Sequence, residues 1–256
     1  LTLGKGGHSK RILENLSKNG RLIALDQDQD ALNAAKENLS DFSNVIFVKS
    51  NFENIDMVLD DLGISKIDGA LMDIGVSSYQ IDNADRGFSY MHDGPLDMRM
   101  DTGNELTAEK IVNDYSLDEL QKIFSNYGEE RFSRTIARKI VETRDEQRID
   151  TTFKLRDLIN KSVRSNEAHP EKRVFQALRI EVNRELEVLE NTLDKVIDRL
   201  NIGGRLCVIT FHSLEDRIVK NTFKELEKDC ICPPGLPVCI CDHCILYTSD
   251  AADDSL

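Results

Sequence analysis

Two groups of residues near the start of this chain are of a type and spacing that could do chemistry. The first is GKGGHS, Gly4 to Ser9. Glycines at 4, 6 and 7 let a backbone approach a ligand closely at a turn between a strand and a helix. By itself the motif fits a tight, ligand-free turn nearly as well. Asp26 shifts the balance, because it closes the apolar run Leu22 to Leu25 at 22 residues beyond Gly4. A strand-end carboxylate there can accept hydrogen bonds from both hydroxyls of a ribose. Gly turn plus strand-end Asp points to an adenosine-containing cofactor, either S-adenosylmethionine or a nicotinamide dinucleotide. The dinucleotide fingerprint G-x-G-x-x-G has Ser9 at its third glycine, which counts against it.

The second group begins where the apolar run Ile67 to Met72 delivers Asp73 and Gly75. Ligands of open α/β sheets bind beyond such strand ends. The segment that follows, DIGVSSYQIDNADRGFSYMHDGPLDMRMD from Asp73 to Asp101, has no convincing helical or strand period, as expected of a long functional loop. A third group lies near the end. Cys230, Cys232, Cys239, Cys241 and Cys244 with His243 read C-x-C-x6-C-x-C-x-H-C. Clustered cysteines in a cytosolic chain favour metal over disulfide. The C-x-C pairs are closer than the usual zinc spacing, so reduced thiols are expected and no metal ligand is assigned.

The elements that must position these groups alternate. Leu1 to Leu3 reads as the stump of a strand and a helix starts near Ser9. Leu22 to Asp26 is a strand, Gln29 to Leu39 a helix, Val45 to Val48 a strand, Glu53 to Leu62 a helix and Ile67 to Met72 a strand. This order implies a parallel sheet covered by helices on both faces. From Leu106 to about Arg164 only helical segments are expected. Over Val174 to Leu200 apolar residues then step by three and four along one long helix, with Gly203 and Gly204 as its stop and Arg205 to Phe211 as a further strand. The simplest organisation is a first α/β part over residues 1–104, an inserted helical domain over 105–173, and a second α/β part over 174–256.

The chain has 256 residues and a formal charge of −13 from 33 basic and 46 acidic side chains. That excludes a generally basic polyanion binder but leaves room for a local basic face. Arg131, Arg134 and Arg138 recur at helical spacing, with Lys139 and Arg144 nearby. Such a stripe is either a solvated helix surface or an RNA-facing one. No run reaches the length of a membrane span and no secretory signal is visible, so a cytoplasmic protein is expected.

The Asp73 to Asp101 segment closely resembles the rRNA small-subunit (cytosine-N4)-methyltransferase family, RsmH or MraW. The same resemblance runs through GKGGHS, YGEERFSRTIARKIVETR (Tyr127 to Arg144), HPEKRVFQALRIEVNREL (His169 to Leu186), FHSLEDRIVK (Phe211 to Lys220) and CPPGLPVC (Cys232 to Cys239). It covers roughly residues 1–243. The resemblance implies a class I S-adenosylmethionine-dependent methyltransferase, Rossmann-like, with a parallel sheet and an inserted all-helical domain. It implies methyl transfer to the exocyclic N4 of a cytidine in the decoding region of small-subunit rRNA, as free rRNA or an assembled 30S-like subunit. By the same resemblance Gly6, Gly7, His8, Asp26, Phe52, Asp73 and Gln80 match the S-adenosylmethionine pocket. Plain core packing remains an alternative for Phe52.

The lone pair of that amine is delocalised into the ring, so a catalyst must align it and accept its hydrogen bonds. Amino-methyltransferases of DNA carry a D/N-P-P-Y type motif after the fourth strand, where this chain has DIGVSS. Candidates for holding the amine are Asp73, Ser77, Ser78, Asp97 and the His212-Ser213 pair. Tyr79, Phe88, Tyr90 and Met91 are candidates for stacking on an unstacked base. Arg86, Arg99 and Arg217 are candidates for phosphates, with loop ion pairs such as Arg99 with Asp97 as the structural alternative.

Both ends depart from the family pattern. No initiating Met precedes Leu1, and CILYTSDAADDSL after His243 replaces an expected basic stretch and two closing strands. The chain is therefore expected to be a piece of a longer product whose last 13 residues are read-through. A nicotinamide oxidoreductase and an inactive RNA-binding fragment are the competing readings.

Overall fold

The computed structural model describes residues 1–163 and 169–228. Its first third alternates as the apolar pattern demands: α1 (Gly7–Asn15), β1 (Leu22–Asp26), α2 (Gln29–Asn38), β2 (Val45–Lys49), α3 (Ile55–Asp61) and β3 (Ile67–Asp73). Side chains placed where first-turn N–H groups lack partners start several helices. Asp28 caps α2 by accepting from the Asp30 N–H. Ser77 and Gln80 form a reciprocal capping box on α4 (Ser78–Asp82).

β1 and β2 pair in parallel, Leu22 opposite Val45 through Asp26 opposite Lys49. β3 pairs in parallel with β4 (Leu200–Ile209), Asp73 opposite Ile209. The segment expected to open with a strand, Leu1 to Leu3, is not one. It is instead stitched between the two pairs. The Leu1 nitrogen donates to the Leu71 carbonyl at 2.6 Å and the Asp73 N–H to Thr2 Oγ1 at 2.7 Å, while the Leu3 N–H donates to Asp26 at 3.1 Å. All the strands thus deliver their carboxyl ends to one edge. Leu25, Ile55, Leu59 and Val196 pack beneath one part of this layer, and Met72, Ile74, Leu189, Leu193 and Val219 beneath another.

Between β3 and β4 the chain is helical: α5 (Ala108–Asp114), α6 (Leu117–Asn126), α7 (Ser133–Arg144), α8 (Thr152–Ser162) and α9 (Pro170–Asn183). They share a separate apolar core that includes Leu120, Phe124, Ile136, Ile140, Leu155 and Phe175. Phe124 is wholly buried, and its truncation to Ala would cost about 3–5 kcal/mol. Leu96, Met98 and Met100 of the long loop enter the same core. That burial, with the isolated bridge between Pro95 and Thr151, holds a loop that has no regular period.

Two boundaries differ from expectation. The long helix over Val174 to Leu200 is two, α9 and α10 (Glu185–Arg199), separated by Arg184 at φ 51. A left-handed non-glycine residue breaks the rod without interrupting the apolar spacing, so periodicity cannot reveal it. The helix also stops at Arg199 rather than at Gly203, and β4 begins at Leu200. Gly203 and Gly204 lie inside that strand beside a shift in its register with β3, as glycine in a strand often does. α11 (Ser213–Leu226) follows β4.

Candidate active site

A cleft of about 670 Å³ opens over the strand ends, within the size range of small-molecule and cofactor sites. The turn after Leu3, the end of β1, the end of β3 with the following loop, the α9–α10 junction and the turn after β4 all contribute to its wall.

The glycine turn supplies open space. A Cβ built on Gly4 or Gly7 meets nothing within 4 Å, whereas one on Gly6 would come within 3.1 Å of Leu39. Gly6 stands at φ 83 as the residue before α1, so it shapes the turn while Gly4, Gly7 and His8 face the cleft. Asp26 also lines the cleft, yet its carboxylate already holds the turn. Oδ2 accepts from the Leu3 N–H at 3.1 Å and the Gly4 N–H at 3.0 Å, and Oδ1 from the Asp28 N–H at 2.9 Å. Burial raises its pKa above the ordinary value, against the pull of the Asp28 and Gly4 N–H groups.

Asp73 ends β3 with its carboxylate 3.4 Å from His8 Nε2, both partly open to solvent. Phe52 borders the cleft and also packs against the core under β3, so ligand-facing and packing roles coexist there. Gln80 is buried and engaged: Nε2 donates to Asp28 Oδ2 at 2.7 Å and Oε1 accepts from the Ser77 N–H at 3.0 Å. Ser77 Oγ in turn accepts from the Gln80 N–H. Ser77, Ser78 and Tyr79 all line the cleft.

Several expected site residues lie elsewhere. Asp97 is not in the cleft wall. Its carboxylate accepts from Arg99 Nε at 2.8 Å and Nη2 at 2.7 Å, while Arg99 Nη1 donates to the Thr102 carbonyl. The Asp97–Arg99 pair is therefore a loop brace, and the amine-holding role expected of Asp97 and the phosphate role of Arg99 have no geometry behind them. Arg86 is buried as well, 2.9 Å from Asp28 and 3.2 Å from Asp30, and donates to the Arg99 and Met100 carbonyls. Phe88 is buried in the helical core, and Tyr90 meets Phe175 edge-on at 5.8 Å. Met91 is exposed and Tyr79 partly so. Arg217 reaches Glu129 at 3.5 Å, and Ser213 Oγ donates to the same carboxylate at 3.2 Å.

His212 precedes α11 and does not face the cleft. Its Nδ1 accepts the Glu215 N–H, and its buried Nε2 lies 3.2 Å from Glu215 Oε1 without a hydrogen bond. Residues not singled out in the sequence complete this corner. Glu215 Oε2 accepts from the Phe211 N–H at 2.9 Å and the His212 N–H at 3.3 Å. Arg179 grips Glu185 through two bonds of 2.8 and 2.9 Å. Burial acts to raise the Glu215 pKa, but the His212 imidazole, the Phe211 N–H and Arg179 outweigh it and hold it below the ordinary value. Ligand atoms of Glu185, His212 and Glu215 lie within 4.8 Å of one another; the Arg179 guanidinium supplies the positive charge in that cluster. The segment FHSLEDR carries the family resemblance, but only its His and Ser stand out there as chemical groups. The cysteine cluster from Cys230 to Cys244 lies outside the described residues.

A glycine turn, strand-end carboxylates and a cleft above parallel strand ends define an α/β protein of the kind that binds an adenosine-containing cofactor. The chain matches the model of the MraW methylase family over residues 1–249 and belongs to that family. The family implies the class I methyltransferase fold and S-adenosylmethionine as methyl donor. The match extends past His243, so the first residues of the tail, expected to lack any family counterpart, fall within it. A protein of Clostridium botulinum (strain Kyoto / Type A2) named ribosomal RNA small subunit methyltransferase H is 58% identical over 243 residues, 94% of this chain and 79% of the relative. One of the same name from Lachnospira eligens is 56% identical over 245 residues, 94% of this chain and 78% of the relative. Among the described residues no helix is long and apolar enough to cross a membrane.

Proposed function

We propose that this protein is a small-subunit rRNA methyltransferase that methylates the N4 amino group of a cytidine in the decoding region. The reading rests above all on the family match across residues 1–249, and the names of the relatives fix its RNA class. The nicotinamide alternative finds no support in that family. An rRNA substrate is in keeping with a cytoplasmic place of action.

The cleft fits an S-adenosyl group. The open space beside Gly4 and Gly7 would admit its methionine part, with His8 and Asp73 at that end. Asp26 would take the ribose through the acceptor capacity of Oδ1, which holds only the Asp28 N–H. Phe52 would lie against the base, and Gln80, locked by Asp28 and Ser77, would hold the loop that closes the site. The bound group supplies an electrophilic methyl on a sulfonium. The protein's part is to orient the amine, exclude water and accept a hydrogen bond from it. Asp73, Ser77 and Ser78 remain the candidate acceptors in the cleft wall.

Residues 105–173 are proposed to act as an inserted helical domain that recognises substrate. The core shared by α5 to α8 supports this, and the same core reaches past both bounds, taking in Leu96, Met98 and Met100 before it and α9 as far as Val182 after it. Transfer of tritiated methyl to small subunits lacking the modification, followed by mapping of the labelled nucleotide and atom, tests the proposal. Label on any atom other than a cytosine N4 refutes it.

A further inference from the structure

The corner of the cleft formed by β4 holds an aromatic side chain whose position the cofactor does not explain. Phe211 lines the cleft yet is 67% exposed. A single exposed apolar side chain is ordinary on a surface; this one is set apart by standing in the cleft wall at the strand ends. Its height in the cleft follows from strand register. Asp73 stands opposite Ile209, and the Ile74 N–H donates to the Ile209 carbonyl at 3.1 Å. Gly75 and Phe211 therefore leave their strands at the same level, directly beyond the candidate amine-holding carboxylate. A Cβ on Gly75 would lie 3.4 Å from the Phe211 ring, so the glycine lets the loop pass beside the ring without displacing it.

Phe211 is held by its backbone and not by its side chain. Its N–H donates to the buried Glu215 carboxylate at 2.9 Å. A fixed backbone presenting a free ring is what a stacking support needs, because the face of an aromatic ring holds any base that has left its helix. The other aromatic candidates of the long loop are weaker. Phe88 and Tyr90 are committed to the helical core, and the Tyr79 ring has the Lys5 ammonium 5.9 Å from its centre.

We propose that Phe211 is the platform on which the unstacked target cytosine rests beside Asp73, with Gly75 keeping that side of the ring clear. This deepens the N4-cytidine reading and depends on it for the identity of the base. The chain contains no tryptophan, so Phe211→Trp creates a single fluorescent reporter at the platform.

The test compares Phe211→Ala and Phe211→Trp in the full chain. Phe211→Ala should lower kcat/KM for unmodified small subunits roughly 5- to 100-fold, with S-adenosylmethionine affinity by calorimetry unchanged, which also shows that the fold survives. Phe211→Trp should recover kcat/KM well above that of Phe211→Ala, and cytidine monophosphate should quench its emission when S-adenosylhomocysteine is bound. Wild-type kcat/KM in Phe211→Ala overturns the proposal. So does a parallel loss of cofactor affinity, which would place the ring against the cofactor. Methyl label on a different atom in the wild-type enzyme would sink the parent reading alone, leaving the fluorescence titration to judge the platform.

Discussion

Arg86 and Asp28 form an ion pair of 2.9 Å with both side chains buried, and through it the loop after β3 is tied to the start of α2. Asp28 also receives Gln80 at 2.7 Å and caps α2 through Asp30. One carboxylate thus joins the glycine-turn half of the cleft to the Ser77–Gln80 half. Removing Arg86 leaves the buried Asp28 charge with neutral donors alone, and breaking such a pair costs about 3–5 kcal/mol. Arg86→Met is expected to lower the unfolding free energy by that amount in urea titrations and to weaken S-adenosylmethionine binding, because the cleft wall loosens. A loss under about 1 kcal/mol would show that the pair is replaceable.

Asp73 behaves differently. It sits at a strand end, partly exposed, with His8 at 3.4 Å and the Leu1 ammonium close enough to feel its charge. Its backbone N–H is satisfied by Thr2 regardless of the side chain. Asp73→Ala is expected to abolish measurable S-adenosylmethionine binding by calorimetry while leaving the thermal midpoint close to that of the wild type. Undiminished affinity would remove Asp73 from the cofactor site.

These two residues show what the sequence could and could not tell. The alternation of β1 to β3 with α1 to α3 was legible because short apolar runs bounded by Gly, Asn and Asp have few alternative folds. Asp26 and Asp73 were legible because a strand end fixes where a side chain emerges. Arg86 was not, because its carboxylate partners lie 56 and more residues away, and a loop arginine looks the same whether it faces phosphate or a buried carboxylate. The break at Arg184 was hidden because α9 and α10 keep one apolar period across it. Phe211 does not stand out in the sequence because strand and platform are indistinguishable until the register with β3 is known.

Two carboxylates of the cleft, the half-buried Asp26 and the buried Glu215, should move stability in opposite directions with pH. The folded-state pKa of Asp26 is raised, so its contribution is fully present below its ordinary value of 3.8 and is lost as pH rises through the folded value. Asp26→Asn should therefore gain stability relative to the wild type as pH climbs from about 3.5. Glu215 is lowered, so its contribution is present above 4.5 and lost as pH falls through the folded value. Glu215→Gln should be most costly near neutrality and least costly in acid. Parallel denaturant titrations across that range read both slopes, and slopes of the same sign would contradict the assigned environments.

The basic stripe of α7 divides by what each arginine touches. Arg144, at the last turn, donates to the Val112 carbonyl at 2.9 Å and the Tyr115 carbonyl at 2.6 Å, closing the end of α5. Arg134 and Arg138 are exposed on the same helix. Arg144→Ala should thus cost stability, about 1–3 kcal/mol for carbonyls left without a charged donor, and change substrate affinity little once the protein is folded. Arg134→Ala with Arg138→Ala should do the reverse. Stability stays within about 0.5 kcal/mol, while affinity for unmodified small subunits falls and its salt dependence flattens by roughly one unit of log-log slope for each phosphate no longer neutralised. Exposed charges that merely solvate the helix would leave that slope untouched. Filter binding of the double variant at several salt concentrations therefore decides whether α7 faces RNA.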